Sequence, residues 1–168
     1  MRYLAYVEPP SDVRTSLERL SEKYSFKKPG SDYHITIWGF AIKEINEKEL
    51  VRRLNSINRV PAPYEFYSIG PYGNESLGLA IDDFEGGLRH MHEEIVKNVA
   101  CLDKNKALLN EMYEKIGGEN YNPHLTFAKE YKGIISLEDF ESIMFRKYES
   151  GHIKLSKKKN GLWQPVHL

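Results

Sequence analysis

One short pattern occurs twice in this chain, and few folds can make use of both copies. His34-Ile35-Thr36-Ile37 is matched by His124-Leu125-Thr126-Phe127: in each, histidine, apolar, threonine, apolar. The copies stand 90 positions apart in a chain of 168 residues. The chain holds only six histidines and three threonines, yet two of those threonines follow a histidine by two places. On a β-strand, side chains at i and i+2 point to one face, about 6.5–7 Å apart. His34 and Thr36 would then project together while Ile35 and Ile37 turn to the core, and His124 and Thr126 would do the same. Two such strands facing a common cleft would present two imidazoles and two hydroxyls.

The rest of the chain bounds what surrounds these strands. A mass of 19.5 kDa suits one compact domain. Hydrophobic residues make up 40% and charged residues 29%, which excludes a disordered or membrane class. Basic and acidic residues number 24 each. With no basic half or tail, tight sequence-blind binding to a polyanion is not expected, although a local phosphate site is allowed. Cys101 is the only cysteine, so no internal disulfide or cysteine-based zinc site is possible. The apolar run from Tyr3 to Val7 is too short for a signal segment or a membrane span. These features predict a soluble, cytoplasmic protein.

Local patterns predict the order β-α-β-α-β-β-α-α-β-α-β-β. The opening RYLAYVEP reads as the first strand. A helix capped by Ser11 or Asp12 runs to about Tyr24, with Val13, Leu17 and Leu20 on one face. DYHITIWGF is a strand, and a helix capped by Asn46 follows to about Ile57. YEFYSIGPYG and SLGLAID form a hairpin about Gly73 and Asn74. Helices follow from about Phe84 to Val99 and from Lys104 to Ile116, with Gly117 and Gly118 as the stop. NPHLTFAKE is a strand, Leu137 to about Arg146 a helix. HIKLS and LWQPVHL close the chain about a polar turn from Lys157 to Gly161. Strand pairs without a glycine-rich βα turn point to an α+β fold with largely antiparallel sheets rather than a parallel α/β sheet.

Imidazole titrates near neutral pH, so one histidine can act as base while the other acts as acid. Threonine hydroxyls can donate to the oxygens of a phosphoryl group. That set suits in-line phosphoester cleavage without a metal. Other chemistries lack their residues: there is no G-x-S-x-G, P-loop or G-x-G-x-x-G. His90 and His92, two apart on a predicted helix, point in different directions and cannot grip one ion. His152 and His167 fall in the closing strands and read as structural, as do Tyr33 and Tyr121 beside the motifs.

The two motifs, their separation and the strand–helix order resemble the 2H phosphoesterase superfamily, which includes the LigT-like 2′-5′ RNA ligases and the cyclic phosphodiesterases. The resemblance is carried by the opening strand, HITIWGF, the GPYG to SLGLAID pair, NPHLTFAK and the HIKLS strand. It implies a single bilobal domain over residues 1–168, with two pseudo-symmetric lobes around a central cleft and helices outside. It also implies His34, Thr36, His124 and Thr126 as the catalytic set, with no metal and no cofactor. The implied activity is a metal-independent phosphodiesterase opening 2′,3′-cyclic phosphates of RNA ends or small nucleotides, with His124 as base and His34 as acid. The alternatives are a 2′-5′ RNA ligase or 2′-5′ phosphodiesterase using the same site, or an RNA-end or nucleotide-binding module with vestigial turnover. The substrate would be RNA ends or cyclic or 2′-5′-linked nucleotides, with no obligate protein partner, no membrane and a monomeric state. Where the first motif strand of the family often continues into Leu-Gly, this chain has Trp38, Gly39 and Phe40.

Weaker candidates surround the motifs. Trp38 and Phe40 share the strand parity of His34 and are candidates for stacking on a base. Lys129 has the opposite parity to His124, but the resemblance marks its position as often basic, so it is a candidate phosphate contact. Lys27 and Lys28, in the loop before the first motif, are further phosphate candidates. Lys157, Lys158 and Lys159 read as a solvated turn.

Overall fold

The computed structural model describes residues 1–30, 32–42, 46–57, 61–72, 76–99, 102, 117, 120–131 and 133–168. The helix expected from Lys104 to Ile116, the Gly73–Asn74 turn and Cys101 lie outside the described residues. The described elements are β1 (Arg2–Val7), α1 (Ser11–Tyr24), β2 (Ile35–Ala41), α2 (Glu47–Ser56), β3 (Pro63–Pro71), β4 (Ser76–Asp82), α3 (Gly87–Val99), β5 (His124–Lys129), a single 3₁₀ turn (Leu137–Phe140), β6 (Lys147–Glu149), β7 (Lys154–Lys159) and β8 (Leu162–Val166).

The strands form one curled antiparallel sheet in the order β6-β3-β4-β5-β2-β1-β7-β8. It divides into two four-stranded halves, β2-β1-β7-β8 and β6-β3-β4-β5. Their seam is β2 against β5, where the register pairs Ile35 with Leu125. The expected α+β class with two antiparallel lobes is therefore the observed one. The second half is one continuous stretch, β3 to β6, whereas the first is completed by β7 and β8 from beyond it, with β7 pairing β1. Helix α1 packs against β5, and α3 against β2.

Alternation fixes which sheet face meets the helices. In β1, Tyr3, Ala5 and Val7 are buried, while Arg2, Leu4 and Tyr6 point the other way. Helix α1 buries Val13, Leu17 and Leu20, the predicted face, and α2 buries Leu50 and Leu54. The core lies between these helices and the sheet; the opposite sheet face is the cleft. Helix α1 begins at Ser11 after Pro10, without a side-chain cap. Across the core edge, Tyr24 and Lys23 at its end both donate to the Asp139 carboxylate.

Two predicted elements come out differently, and one strand was not expected. The helix expected over Leu137–Arg146 is a single 3₁₀ turn at its start. Its apolar residues Leu137, Phe140 and Ile143 recur every third position, which suits 3₁₀ geometry, and Phe145 adopts a positive φ of 56°. Strand β6, which alternation over three residues could not announce, pairs with β3. Strand β7 continues to Lys159, so the three lysines are strand residues rather than a turn. The connection is the two-residue Asn160–Gly161, with φ 52° and 82°, the left-handed pair that a tight hairpin needs.

Candidate functional site

The seam sets both motifs on one face. Where Ile35 pairs with Leu125, extending the antiparallel register by one residue puts His34 across from Thr126 and Thr36 across from His124. The two motif strands also have the same burial pattern. His34, Thr36, His124 and Thr126 are half-buried, whereas Ile35, Ile37, Leu125 and Phe127 are at most 1% exposed. The structure thus brings the four residues together on the cleft floor, with each apolar partner in the core.

Each histidine is oriented by its own chain. His34 Nδ1 lies 2.7 Å from the Asp32 carbonyl oxygen, and His124 Nδ1 lies 3.0 Å from the Asn122 carbonyl oxygen. A carbonyl only accepts, so Nδ1 carries the proton, and in the neutral ring the lone pair belongs to Nε2. Both imidazoles are thereby set in the tautomer a general base needs. Each is also packed by a tyrosine. The Tyr6 ring meets His34 edge-on, with centroids 5.4 Å apart, and the Tyr72 ring stacks on His124 at 4.0 Å and 10°. Sequence reasoning missed both tyrosines. It also missed the shared Asp-x-His and Asn-x-His spacing, which is visible in the chain and places a short polar residue two before each histidine.

Burial pushes both histidines below their ordinary value of 6.5, and the carbonyl bonds offset this in part. The positive charges of His124 and Lys129 push His34 down further. His34 therefore feels the charge of His124 across the seam.

A bulge follows each motif threonine and decides where the weaker candidates go. The β1–β2 register steps from Tyr6–Thr36 to Ala5–Trp38, leaving Ile37 extra. The β4–β5 register steps from Gly78–Thr126 to Leu77–Ala128, leaving Phe127 extra. Beyond each bulge the parity reverses. Phe40 accordingly turns to the core and stacks on Tyr3, with centroids 5.9 Å apart, away from the cleft where simple alternation had placed it. Trp38 is 4% exposed and meets the His92 ring edge-on, yet it lines a cavity beside His124. Lys129 returns to the face of Thr126, which is why its charge acts on His34. Lys27 Nζ donates to Glu130, and its carbonyl accepts from the Lys129 N–H. Lys28 is exposed in the same loop, with no contact to the motif residues among those described.

The first bulge is held from beneath. His92 of α3 is fully buried, and its Nδ1 donates to the Ile37 carbonyl at 2.9 Å. Tyr121, which stacks on His92 at 4.3 Å, donates its hydroxyl to the Thr36 carbonyl at 3.0 Å. His92 and Tyr121 are thus supports of the motif strand. Among the described residues no group of three His, Cys, Asp or Glu side chains is placed to hold a metal ion. No described helix is long and apolar enough to cross a membrane.

Two cavities flank the histidines. One of about 250 Å³ lies beside His124 and is lined by Thr36, Trp38, Tyr72 and Tyr121 among others. A second of about 290 Å³ lies beside His34. The arrangement offers two proton carriers side by side, hydroxyls opposite each, and room on both flanks.

No family model matches the chain, and no curated protein matches it. Solved structures do. The chain is similar to Escherichia coli LigT complexed with 3′-AMP, at 14% identity and a TM-score of 0.66 over 99% of this chain and 94% of LigT. It is similar to the same protein complexed with NADP+, at 14% identity and a TM-score of 0.69, covering 99% and 95%. It is also similar to TT0787 of Thermus thermophilus, at 16% identity and 0.66, covering 99% and 96%. A further structure described as a phosphoesterase matches at 13% identity and 0.67, covering 99% and 95%. The chain has the fold of these LigT-like structures over nearly its whole length.

Proposed function

We propose that the protein is a phosphodiesterase that opens 2′,3′-cyclic phosphates of RNA ends or small nucleotides, with two histidines as acid and base and without a metal. The observation that carries this is the matched pair of Nδ1–carbonyl bonds, which leaves two Nε2 atoms as the proton-transfer positions on one cleft face. One imidazole takes a proton from the attacking water. The other, as imidazolium, delivers a proton to the ribose oxygen that leaves phosphorus. Thr36 and Thr126 donate to the non-bridging oxygens, whose charge grows in the transition state. With a ribose 5′-hydroxyl in place of water, the same pair joins a 2′-5′ bond: the base takes the 5′-hydroxyl proton as the 5′-oxygen bonds to phosphorus, and the acid protonates the 3′-oxygen that leaves. That solved relatives by fold are crystallised with 3′-AMP and with phosphate supports a nucleotide phosphate as the ligand class.

The electrostatics favour a division of labour opposite to that expected from sequence. The positive charges at His124 and Lys129 oppose a proton on His34, which supports His34 as base; burial lowers His124 as well, so the pH profiles of the two single variants decide which ring is the base. The deciding assay is turnover of 2′,3′-cyclic AMP in excess EDTA, with the product identified as 2′- or 3′-phosphate. Turnover in EDTA is expected. Activity lost to EDTA and restored by a divalent ion would remove the metal-free assignment, and no turnover of any cyclic or 2′-5′ substrate would leave the binding module as the better reading.

A further inference from the structure

The half of the cleft that holds His34 contains a pocket that proton transfer and oxyanion binding do not use. Its floor is built by three strands in register. Leu4 of β1 pairs with Ser156 of β7, which pairs with Pro165 of β8, and Trp163 stands beside them opposite Lys158. All of these project from the sheet face that carries Tyr6 and His34, and Leu4, Tyr6, Trp163 and Pro165 make the apolar wall of the cavity of about 290 Å³. Glu8, Asp32 and Ser156 supply its polar atoms, with Glu8 paired to Arg14 and Lys154 and Asp32 to Arg14, and His34 closes the inner end. Trp163 is half-exposed, and Lys158 Nζ lies 5.9 Å from its ring centroid.

The size and chemistry of the pocket select its occupant. The volume falls at or below the roughly 300–1,000 Å³ of whole drug-sized ligand sites, so it suits one ring system rather than a complete ligand. An indole face with an aliphatic wall suits a flat aromatic ring, and a carboxylate and a hydroxyl at the rim suit the amino groups and ring nitrogens of a base edge. Because His34 forms the inner wall, the ring must belong to the molecule whose phosphate His34 serves. The other cavity, at His124, already offers Trp38, Tyr72 and Tyr121 on the opposite side.

Building on the phosphodiesterase reading, we infer that the pocket takes a nucleobase stacked on Trp163, so that among the RNA ends and nucleotides of that reading a substrate with two bases, one in each cavity, is preferred to a cyclic mononucleotide. Trp163 is then a specificity-determining residue supplied by the closing hairpin, far in sequence from both motifs.

Two measurements test this. Adenylyl-(2′→5′)-adenosine, adenylyl-(3′→5′)-adenosine and 2′,3′-cyclic AMP are compared by kcat/KM in the native protein and in Trp163→Ala. Stacking of one base on an aromatic ring contributes about 5- to 150-fold in affinity. The preference for a two-base substrate over the cyclic mononucleotide should therefore fall by a factor in that range. An unchanged preference overturns the inference. The second measurement needs no turnover. The chain has only two tryptophans, so the indole N–H signal of Trp163 is identified in an NMR spectrum by its loss in Trp163→Phe. It should shift on titration with either dinucleoside. If it stays fixed once the β5 amides have stopped moving, or if neither dinucleoside binds, the pocket assignment is wrong. If the signal shifts but no phosphodiester is ever turned over, the pocket stands and the catalytic reading alone fails.

Discussion

The two halves of the sheet are near-copies at the seam and unlike one step away from it. At the seam each half supplies a histidine whose Nδ1 is tied to the carbonyl two residues back, a threonine on the same face, and a bulge directly after it. One strand outward the resemblance ends. Beside His124 the floor is small: Gly78 faces Thr126, Ala80 faces His124, and Gly70 and Ser68 lie behind them. Beside His34 it is large, with Tyr6, Leu4 and Trp163. On the proposed function, duplicated positions are those that would touch the reacting phosphate, and unlike positions those that would touch whatever hangs from it. Proton transfer requires two equivalent tools, whereas a substrate with different ends requires two different receptacles.

The strongest way to break this comparison is to remove one tool at a time. His34→Ala or His124→Ala should each lower kcat by about 10²–10⁴-fold, and the double variant should be little worse than the weaker single, because acid and base act as one unit. Two independent, multiplying losses measured in steady-state kinetics would mean that the histidines do not work on one phosphate.

Thr36→Ala and Thr126→Ala test whether the hydroxyls are as equivalent as their positions. Each should cost up to about 10²–10³-fold in kcat, with little change in KM, as expected of an oxyanion donor. A loss confined to one of them would make the site one-sided.

The unlike floors give a smaller and asymmetric effect. A Cβ at residue 78 would lie 2.7 Å from Tyr72 Cδ2 and 3.1 Å from the Leu125 carbonyl oxygen. Gly78→Ala should therefore push the Tyr72 ring off His124 and lower kcat by about 10- to 100-fold, since an ångström of misplacement at a catalytic group costs up to about that much. A crystal structure of the variant with the Tyr72–His124 stack intact would refute this reason for the glycine.

The smallest effect lies in pH. The base limb of the kcat/KM profile should fall below the ordinary histidine value of 6.5, because burial lowers both rings. Lys129→Gln should move that limb upward if His34 is the base and leave it in place if His124 is. Stability has the same sign. His34, His92 and His124 all have depressed values in the folded state, so the unfolded chain binds more protons. Stability is full above about pH 6.5 and is lost as pH falls from there through the folded values, which denaturant midpoints measured between pH 8 and 5 will show.

Much of this was legible in the chain, and the failures share a physical cause. A strict period of two placed His34, Thr36, His124 and Thr126 on one face with their apolar neighbours in the core, and the helical period likewise placed α1 on its buried side. The period of two misassigned Phe40 and Lys129, because a bulge adds one residue without any insertion signal of its own. The available clue was the pair of adjacent apolar residues after each threonine, Ile37–Trp38 and Phe127–Ala128, where alternation breaks in both copies. Tyr6, Tyr72 and Trp163 could not be assigned to the site from sequence, since their places depend on which strands become neighbours. Pairing of β1 with β7 joins residues more than 150 positions apart, as in Arg2 with Lys158.

That division of one half across the chain has a kinetic consequence. The His124 half, β3 to β6, comes from one continuous stretch and can form early, but the His34 half needs β7 and β8 from beyond it. Closing β7 onto β1 is a loop closure spanning almost the entire molecule, the kind of contact that folds slowly because its entropy must be spent before its contacts form. The His34 motif is therefore the last to sit in a finished lobe. Until the last hairpin docks, β1 stays an open edge, Tyr6 has no Ser156 beside it, and the His34 side has no wall to receive a substrate.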